Sequence, residues 1–301
     1  MNIWYGNEQH FHGTPQRWIN ILGRVYDVES LRYRLNDGPV VSLSIGQDQR
    51  RLVGIGDFNI DLDIRQVKPG RNTVTITADD HTETVIVYYD PDPPVLPYTV
   101  DWSAVDRIQD VAQAVDGQWV ISGDTVSPTE IGYDRLIAIG DMSWKDYEVT
   151  VPITVHGINS GCYAFPSVHA GVGLVMRWRG HTNWGRDSWA SGQPYFGPSA
   201  YGAIGWYCVF HETGPELNFF DPDFNRPVRQ PFSLPLHIPH MFKVRVQGNH
   251  YSLKVWPDGT SEPSEWNISA DGTVMSLESG SFLLGAHHVA CQFGRVEVRA
   301  L

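Results

Sequence analysis

Apolar and polar residues alternate over short stretches along most of the chain, with turn residues between the stretches. Residues 31–35 alternate strictly and end at Asn36-Asp37-Gly38, a sequence typical of a tight hairpin turn. Residues 58–64 alternate in the same way, and residues 73–78 and 84–89 are rich in β-branched side chains. A period of two residues is that of a strand with one buried face. The first ninety residues are therefore predicted to form a sandwich of short strands.

The same pattern continues beyond residue 100. Strand-like runs are found at residues 147–156, 172–179, 203–210, 242–247, 251–256, 281–288 and 294–299. The runs at 242–247 and 251–256 flank Gly248-Asn249-His250, which predicts a hairpin. Only residues 104–115 show a loosely helical spacing of apolar positions. The pattern thus predicts an all-β chain with one helical candidate.

Prolines mark the boundary between a shorter first part of the chain and a longer second part. Residues 90–97 read Asp-Pro-Asp-Pro-Pro-Val-Leu-Pro, with four prolines in eight positions. Such a segment favours an extended, semi-rigid spacer. We therefore expect a first domain at residues 1–90, a linker at 91–97 and a second domain at 98–301.

The first domain resembles a known type of repeat. Residues 70–80, Gly-Arg-Asn-Thr-Val-Thr-Ile-Thr-Ala-Asp-Asp, are followed by a β-branched strand. This sequence is similar to the closing strands of bacterial immunoglobulin-like and cadherin-like repeats. The resemblance covers about 70 residues and implies an immunoglobulin-like β-sandwich.

The second domain resembles the jelly roll of the concanavalin A-like lectin and glucanase superfamily. The resemblance rests on residues 144–151, Trp-Lys-Asp-Tyr-Glu-Val-Thr-Val, and on the later pair Phe-Lys-Val-Arg-Val and Tyr-Ser-Leu-Lys-Val-Trp. Laminin-G-like domains and 3-keto-disaccharide hydrolases of that superfamily are similar too. The superfamily includes lectins, hydrolases, lyases and adhesion modules, so the resemblance implies the fold more firmly than the function.

Composition narrows the range of partners. The 301 residues carry a net charge of −12, and no run of Lys or Arg is present, so nucleic acid is not an expected partner. No stretch approaches 18 consecutive apolar residues, and no membrane span is predicted. The three cysteines, Cys162, Cys208 and Cys291, have neither a zinc-site nor a disulfide-framework spacing.

The N-terminus lacks the basic and apolar pattern of a signal peptide. From the resemblance we nevertheless expect a secreted or cell-surface protein that binds a polysaccharide or oligosaccharide.

The carboxylates do not fit the glucanase pattern of this superfamily. Jelly-roll glucanases carry Glu-x-Asp-x-x-Glu on one strand face, and this chain contains no Glu-x-Asp. Retaining glycosidases need two carboxyl groups about 5–5.5 Å apart. If the chain hydrolyses glycosides, the acids to test are Glu148, Glu212, Glu216, Asp187 and Asp221.

Strand parity predicts a cationic face. In the run at 203–210 parity assigns Trp206 to the core and Tyr207 to the surface, and at 172–179 it groups Trp178 with Met176 in the core. If the strands share one sheet, its outer face carries His156, Arg177, Arg179, Tyr207, Lys254, Trp256 and His287. Arginine forks recognise carboxylate or sulfate groups. This face predicts an acidic glycan, although ordinary solvated positions would give the same pattern.

The same residues supply candidates for catalysis. A Tyr207 or His156 base with Arg177 as the neutraliser of a carboxylate would suit β-elimination from a uronic acid. Glu148 and Glu212 complete the catalytic candidates.

A long aperiodic segment, residues 181–202, separates two strand-like runs. Trp184, Arg186 and Trp189 within it are candidates for stacking on, and hydrogen bonding to, a sugar. The alternative is a lid that packs its own aromatic side chains.

Asp221, Asp223 and Asn225 open like a calcium-binding loop, but Arg226 stands where that loop needs glycine. The sequence identifies no cofactor beyond a candidate structural Ca²⁺ at this segment.

Three functions stay open from the sequence. The leading prediction is carbohydrate recognition, the second is a polysaccharide lyase or glycoside hydrolase, and the third is an adhesion or structural module.

Overall fold

The computed structural model describes residues 1–48, 50–164, 168–182, 193–195 and 201–301. Within these ranges the chain forms strands joined by loops and short 3₁₀ turns, with no α-helix. No helix in this part of the chain has the length and apolar character that crossing a bilayer requires. The all-β prediction is confirmed.

Eight strands come from the first ninety residues: β1 (Asn2–Ile3), β2 (Glu8–His12), β3 (Trp18–Arg24), β4 (Leu31–Leu35), β5 (Val40–Ser42), β6 (Asp57–Asp63), β7 (Gly70–Ala78) and β8 (His81–Asp90). They form a three-stranded sheet, β1-β3-β6, and a five-stranded sheet, β2-β8-β7-β4-β5. The only parallel pair in these two sheets is β2 with β8. The inner faces of the two sheets enclose a core of their own, which includes Ile21, Ile60, Val74, Ile76 and Val87.

The remaining strands are β9 (Tyr98–Val100), β10 (Gln113–Asp116), β11 (Trp119–Ser122), β12 (Thr125–Pro128), β13 (Arg135–Ile139), β14 (Tyr147–Ile158), β15 (His169–Trp178), β16 (Ala203–Phe210), β17 (Gly214–Phe220), β18 (Arg229–Pro231), β19 (His240–Gln247), β20 (His250–Pro257), β21 (Ile268–Asp271), β22 (Ser281–His287), β23 (Val289–Phe293) and β24 (Val296–Ala300). One sheet has the order β10-β13-β22-β15-β16-β17-β18. The other has the order β11-β12-β23-β14-β19-β20-β21, and in it β24 also pairs with β14 while β9 pairs with β24. We call them the front sheet and the back sheet.

The main core lies between the front and back sheets. Val172, Leu174 and Phe282 of the front sheet meet Val149 and Val244 of the back sheet, and all are inaccessible to solvent. The alternation read from residues 147–156 is seen here, because Tyr147, Val149, Val151, Ile153 and Val155 are all fully buried. The run therefore forms the central strand of the back sheet.

The helical candidate at residues 104–115 is wrong. This segment contains the 3₁₀ turn Ile108–Asp110 and then enters β10 at Gln113. Its apolar spacing comes from a turn that inserts Ile108 into the core, followed by a strand. Short apolar runs do not separate helix from strand when they are only a few residues long.

A buried polar network joins the first ninety residues to the front sheet. Arg51 donates to both carboxylate oxygens of Asp61, at 2.9 and 3.1 Å, and to Asp116 at 2.5 Å. His181 Nε2 lies 2.7 Å from the other oxygen of Asp116. These four side chains are at most 3% exposed. The two parts of the chain are therefore in direct contact through paired, desolvated charges.

Candidate functional site

The outer face of the front sheet carries buried apolar side chains, as its inner face does. On β15, Val172, Leu174 and Met176 point to the core between the sheets, while His169 and Val175 point outward. Periodicity alone cannot orient such a strand, because both of its faces are buried. The outward face is where the candidate site lies.

Glycines allow Trp206 of β16 to lie flat against this face. A Cβ built on Gly173 would come within 2.4 Å of the Trp206 Cβ, and one on Gly171 within 3.1 Å of the indole ring. Gly285 of β22 pairs with Gly173 and continues the same side-chain-free strip. Glycine inside a strand often marks such a close approach.

Four further rings surround the indole. The His169 ring stacks on Phe210, Phe220 and His287, with centroids 4.9, 5.5 and 4.8 Å apart. Trp206 meets Phe220 edge-on at 5.6 Å. We call His169, Trp206, Phe210, Phe220 and His287 the aromatic face. Three of them, His169, Phe210 and Phe220, are partly exposed.

A chain of polar side chains runs along the aromatic face. Trp206 Nε1 donates to Asn218 Oδ1 at 3.0 Å, and Asn218 Nδ2 donates to Glu216 Oε1 at 3.0 Å. Arg226 donates to the same Glu216 oxygen at 3.0 Å, and its guanidinium lies 4.1 Å from the Phe210 centroid. The polar atoms are thus held in place beside exposed ring surfaces.

A histidine and an aspartate form a dyad at the other end of the face. His287 Nδ1 lies 2.7 Å from Asp134 Oδ1, and the Tyr133 ring meets the His287 ring edge-on at 4.7 Å. Burial alone would raise the pKa of Asp134, but the charge and hydrogen bond of His287 outweigh it and lower that pKa. The Asp134 carboxylate is therefore ionised at neutral pH.

Two neighbouring histidines are held neutral. Burial, with the nearby His287, lowers the pKa of His169 to about 3. Burial followed by His287 lowers the pKa of His288 to about 4. A neutral His169 behaves as an uncharged aromatic ring at physiological pH.

A small pocket of about 40 Å³ lies beside these side chains, lined by Asp134, Trp206 and His287 among others. It is large enough for a water molecule and too small for a sugar ring. A sugar ring would therefore bind on the aromatic side chains rather than in this pocket.

The predicted cationic face is wrong, because its members lie on two sheets. Lys254 and Trp256 are on β20 of the back sheet, together with Glu148 of β14. There Glu148 pairs with Arg245 at 2.7 Å, and Lys254 pairs with Glu262 at 2.7 Å. The cations of this surface are therefore engaged by carboxylates and do not form a free cationic face.

Two other residues of the predicted cationic face, Tyr207 and Arg177, have roles in packing and in the backbone. Tyr207 lies in the core between the sheets, while Trp206 is on the outer face, the reverse of the parity assignment. Arg177 sits in a β-bulge with φ of 55° and bonds to the Lys145 carbonyl and Asp146. The bulge also moves Trp178 out of the core face that parity predicted for it.

The remaining predicted residues are dispersed. Exposed His156 lies on β14 with its Nδ1 3.2 Å from that of His237, exposed Arg179 bonds to Ser279, and Glu212 is exposed at the β16–β17 turn. Trp184, Arg186, Asp187 and Trp189 lie outside the described residues. Among the sequence candidates that the structure describes, only His287 and Glu216 reach the aromatic face.

The predicted calcium loop closes on itself. Asp221 Oδ1 accepts hydrogen bonds from the backbone N–H groups of Asp223 and Asn225, and Oδ2 accepts one from the Asn225 side chain. This turn accounts for the Asp-x-Asp-x-Asn pattern without a metal. In the described ranges, no group of three or more His, Cys, Asp or Glu side chains is arranged to hold a metal ion.

Sequence reasoning missed most of the site: His169, Trp206, Phe210, Phe220, Asn218, Arg226, Tyr133 and Asp134. The available signal was the pair of glycines at 171 and 173 inside an otherwise apolar strand. Glycines at that spacing indicate that a bulky group lies on the strand. The three cysteines are free and buried, as expected for small apolar side chains.

No protein-family model and no curated protein matches the sequence. Among solved structures, the chain is similar to the carbohydrate-binding module CBM66 of Bacillus subtilis, with 13% identity over 63% of this chain and 95% of that one, and a TM-score of 0.40. It is similar to the exoplasmic/lumenal domain of VIP36 in its form bound to Ca²⁺ and Man3GlcNAc, with 10% identity over 70% and 91% of the two chains and a TM-score of 0.45. It is also similar to lectin II from Ulex europaeus, with 7% identity over 69% and 99% and a TM-score of 0.44.

Proposed function

We propose that this protein binds a polysaccharide or oligosaccharide through the aromatic face of the front sheet. The observation that carries the proposal is the set of stacked, partly exposed rings next to a fixed chain of polar atoms. Ring surfaces suit the apolar C–H side of a sugar, while side-chain amides and carboxylates suit its hydroxyl groups. In this role the protein acts as a secreted or cell-surface recognition module.

The charges on the aromatic face favour a neutral sugar. Glu216 is paired with Arg226, and Asp134 is hydrogen-bonded to His287. His169 carries no charge at neutral pH. The arginines and lysine that predicted an acidic ligand do not reach this face. A neutral glycan therefore suits it better than a carboxylated or sulfated one.

The test compares Phe220→Ala and His169→Ala with the unmodified protein on a glycan array, followed by calorimetry on any glycan that binds. Each variant should weaken binding by about tenfold, because each removes a stacking surface. Tyr26→Ala is the matched control, since Tyr26 is an aromatic residue that is 61% exposed and distant in sequence from the face. If Phe220→Ala and His169→Ala bind the glycan as tightly as Tyr26→Ala and the unmodified protein do, the proposal is contradicted.

A catalytic function is the second candidate, and the His287–Asp134 dyad favours it. A histidine oriented by a carboxylate can remove a proton from a substrate. Asp134 and His288 have φ of 29° and 57°, and such strained backbone often occurs at functional sites. A polysaccharide lyase would use His287 as the base.

Turnover separates the two functions. A lyase would produce an unsaturated uronate that absorbs in the ultraviolet, and a hydrolase would release reducing ends. His287→Gln should abolish either signal. Binding without turnover supports recognition, and silence in every assay supports an adhesion or structural module.

We infer further that residues 1–90 form an immunoglobulin-like domain, that 91–97 is its linker and that 98–301 is a concanavalin A-like jelly roll. The separate cores of the two parts support this division. A structural Ca²⁺ at the Asp221 loop stays a prediction. Thermal unfolding with calcium and with a chelator tests it, since a bound ion would raise the unfolding temperature.

A further inference from the structure

The outer face of the five-stranded sheet presents ordered rows of threonine and arginine. Arg32 pairs with Thr77 and Arg34 with Thr75 across β4 and β7, and Thr77 then pairs with Thr82 across β8. Alternation places all of these side chains on the same side, opposite the buried Leu31, Tyr33, Val74 and Ile76. We call Arg32, Arg34, Arg71, Thr73, Thr75, Thr77, Thr82 and Thr84 the Thr-Arg face.

The three arginines of this face are available to a ligand. Arg32, Arg34 and Arg71 are exposed, and none has a carboxylate partner within 4.0 Å in the part of the chain that the structure describes. Arg71 makes one long contact, 3.4 Å, to the Thr73 hydroxyl. The chain has a net charge of −12, and most arginines in the part that the structure describes bond to carboxylates or carbonyls. Three guanidinium groups without such partners on one face are therefore a local exception.

The face also forms a depression. A hollow of about 590 Å³ is lined by Arg32, Tyr33, Arg34, Asn36, Asp37, Val40, Thr73, Thr75, Thr77 and Thr82. Asp37 is the acidic residue of this lining, and it lies in the hairpin turn at one end. Apart from Asp37, the lining consists of four threonines, two arginines, Tyr33, Asn36 and Val40. Threonine hydroxyls can both donate and accept hydrogen bonds, as sugar hydroxyls do.

The arginines are spread along the strands rather than clustered at a point. Arg32 is level with Thr77, and Arg71 lies six residues from Thr77 on the same strand, which corresponds to about 20 Å. At the Arg71 end, Tyr88 is next in register and stacks on His10 with centroids 4.7 Å apart. This length suits several linked sugar units rather than a single one.

We propose that the Thr-Arg face binds an anionic polysaccharide chain, with sugar-borne carboxylate or sulfate groups on the arginines and sugar hydroxyls on the threonines. Guanidinium forks bind both kinds of anion through two parallel hydrogen bonds. The proposal is independent of the neutral-sugar site on the aromatic face.

The test uses the full chain and three polymers: polygalacturonate, dextran sulfate and unmodified dextran. Affinity electrophoresis should show retardation by one or both charged polymers, weakened by added salt. Retardation by polygalacturonate alone would identify carboxylate as the group that binds, and retardation by dextran sulfate alone would identify sulfate. Retardation by neither polymer would overturn the proposal.

Variants locate the binding to this face. Arg34→Gln should weaken binding to the retarding polymer by about tenfold, and Arg32→Gln/Arg34→Gln by more. Arg229→Gln is the matched control, because Arg229 is an exposed arginine of β18 and its loss changes the net charge equally. Equal loss in Arg229→Gln and Arg34→Gln would show a general charge effect and overturn the proposal.

Two further variants test the threonine hydroxyls and the aromatic face. Thr75→Val keeps the side-chain shape and should weaken binding severalfold if the hydroxyls contact the sugar. Phe220→Ala should leave binding of the charged polymer unchanged. Loss of charged-polymer binding in Phe220→Ala would assign that ligand to the aromatic face instead.

Discussion

Trp206 has its position because two residues beneath it have no side chain. Gly171 and Gly173 alternate along β15 toward the outer face, and the indole of Trp206 covers them. The indole nitrogen then reaches Asn218 at 3.0 Å. The aromatic face is thus set by close packing at single residues, where even one added carbon must displace its neighbours.

Gly173→Ala is predicted to disturb this packing. Its new Cβ would lie 2.4 Å from the Trp206 Cβ and 2.5 Å from the Gly205 carbonyl oxygen, so the backbone of β16 must move, and we expect a loss of about 1–3 kcal/mol in the free energy of unfolding. Denaturant unfolding measures it, and glycan binding should fall in parallel. Gly157→Ala is the matched control, since the nearest atom to its Cβ is 4.0 Å away. A similar free energy of unfolding for the two variants would show that the position of Trp206 does not depend on Gly173.

Arg51 connects secondary structure elements from the two parts of the chain. It lies between β5 and β6, and it bonds Asp61 on β6 and Asp116 at the end of β10. Burial alone would raise the pKa of Asp116, but Arg51 and His181 outweigh burial and keep that pKa well below its usual value. The contact between β6 and β10 therefore depends on charges that must stay paired.

Asp116→Asn removes the charge while nearly keeping the shape. Arg51 would then be buried with only one carboxylate, so we expect a loss of about 3–5 kcal/mol in the free energy of unfolding. Denaturant unfolding followed by tryptophan fluorescence measures the change. Asp110→Asn is the control, because the Asp110–Arg107 pair is exposed and should contribute about 1 kcal/mol or less. A loss no larger than that of the control would mean that the network does not hold the two parts together.

On the scale of the whole molecule, neutral histidines make stability depend on pH. His169 and His288 have pKa values lowered to about 3 and about 4, whereas a histidine in the unfolded chain titrates near 6.5. Between these values the unfolded chain binds protons that the folded chain does not. The free energy of unfolding must therefore fall as pH falls from about 6.5 toward 4.

His169→Phe should reduce this dependence. The phenyl ring can replace the neutral imidazole between Phe210 and Phe220, but it binds no proton when the chain unfolds. Each such histidine contributes up to about 1.4 kcal/mol per pH unit. The difference in unfolding free energy between the variant and the unmodified protein should therefore grow in favour of the variant between pH 7 and pH 5. A constant difference over that range would show that His169 does not titrate on unfolding.

Strands with one exposed face were predictable, and strands with two buried faces were not. Residues 31–35 alternate in sequence and in burial, so β4 was read correctly. In β16, Trp206 and Tyr207 are both less than 10% exposed, and the alternation of apolar types does not tell which ring faces which layer. The bulge at Arg177 then shifts Trp178 to the opposite face without any signal in residue type.

The sequence by itself determined the all-β character of the chain and its proline-rich segment at residues 90–97. It also determined the strands in which apolar and polar residues alternate because one face is buried. These features are local, since they depend on spacing and turn residues along the chain. Only the tertiary structure decided that Lys254 and His287 belong to different sheets, that His169 and Trp206 meet, and that Arg51 joins distant strands. Such contacts join residues far apart in sequence, and they depend on sheet order and register, which local spacing does not specify.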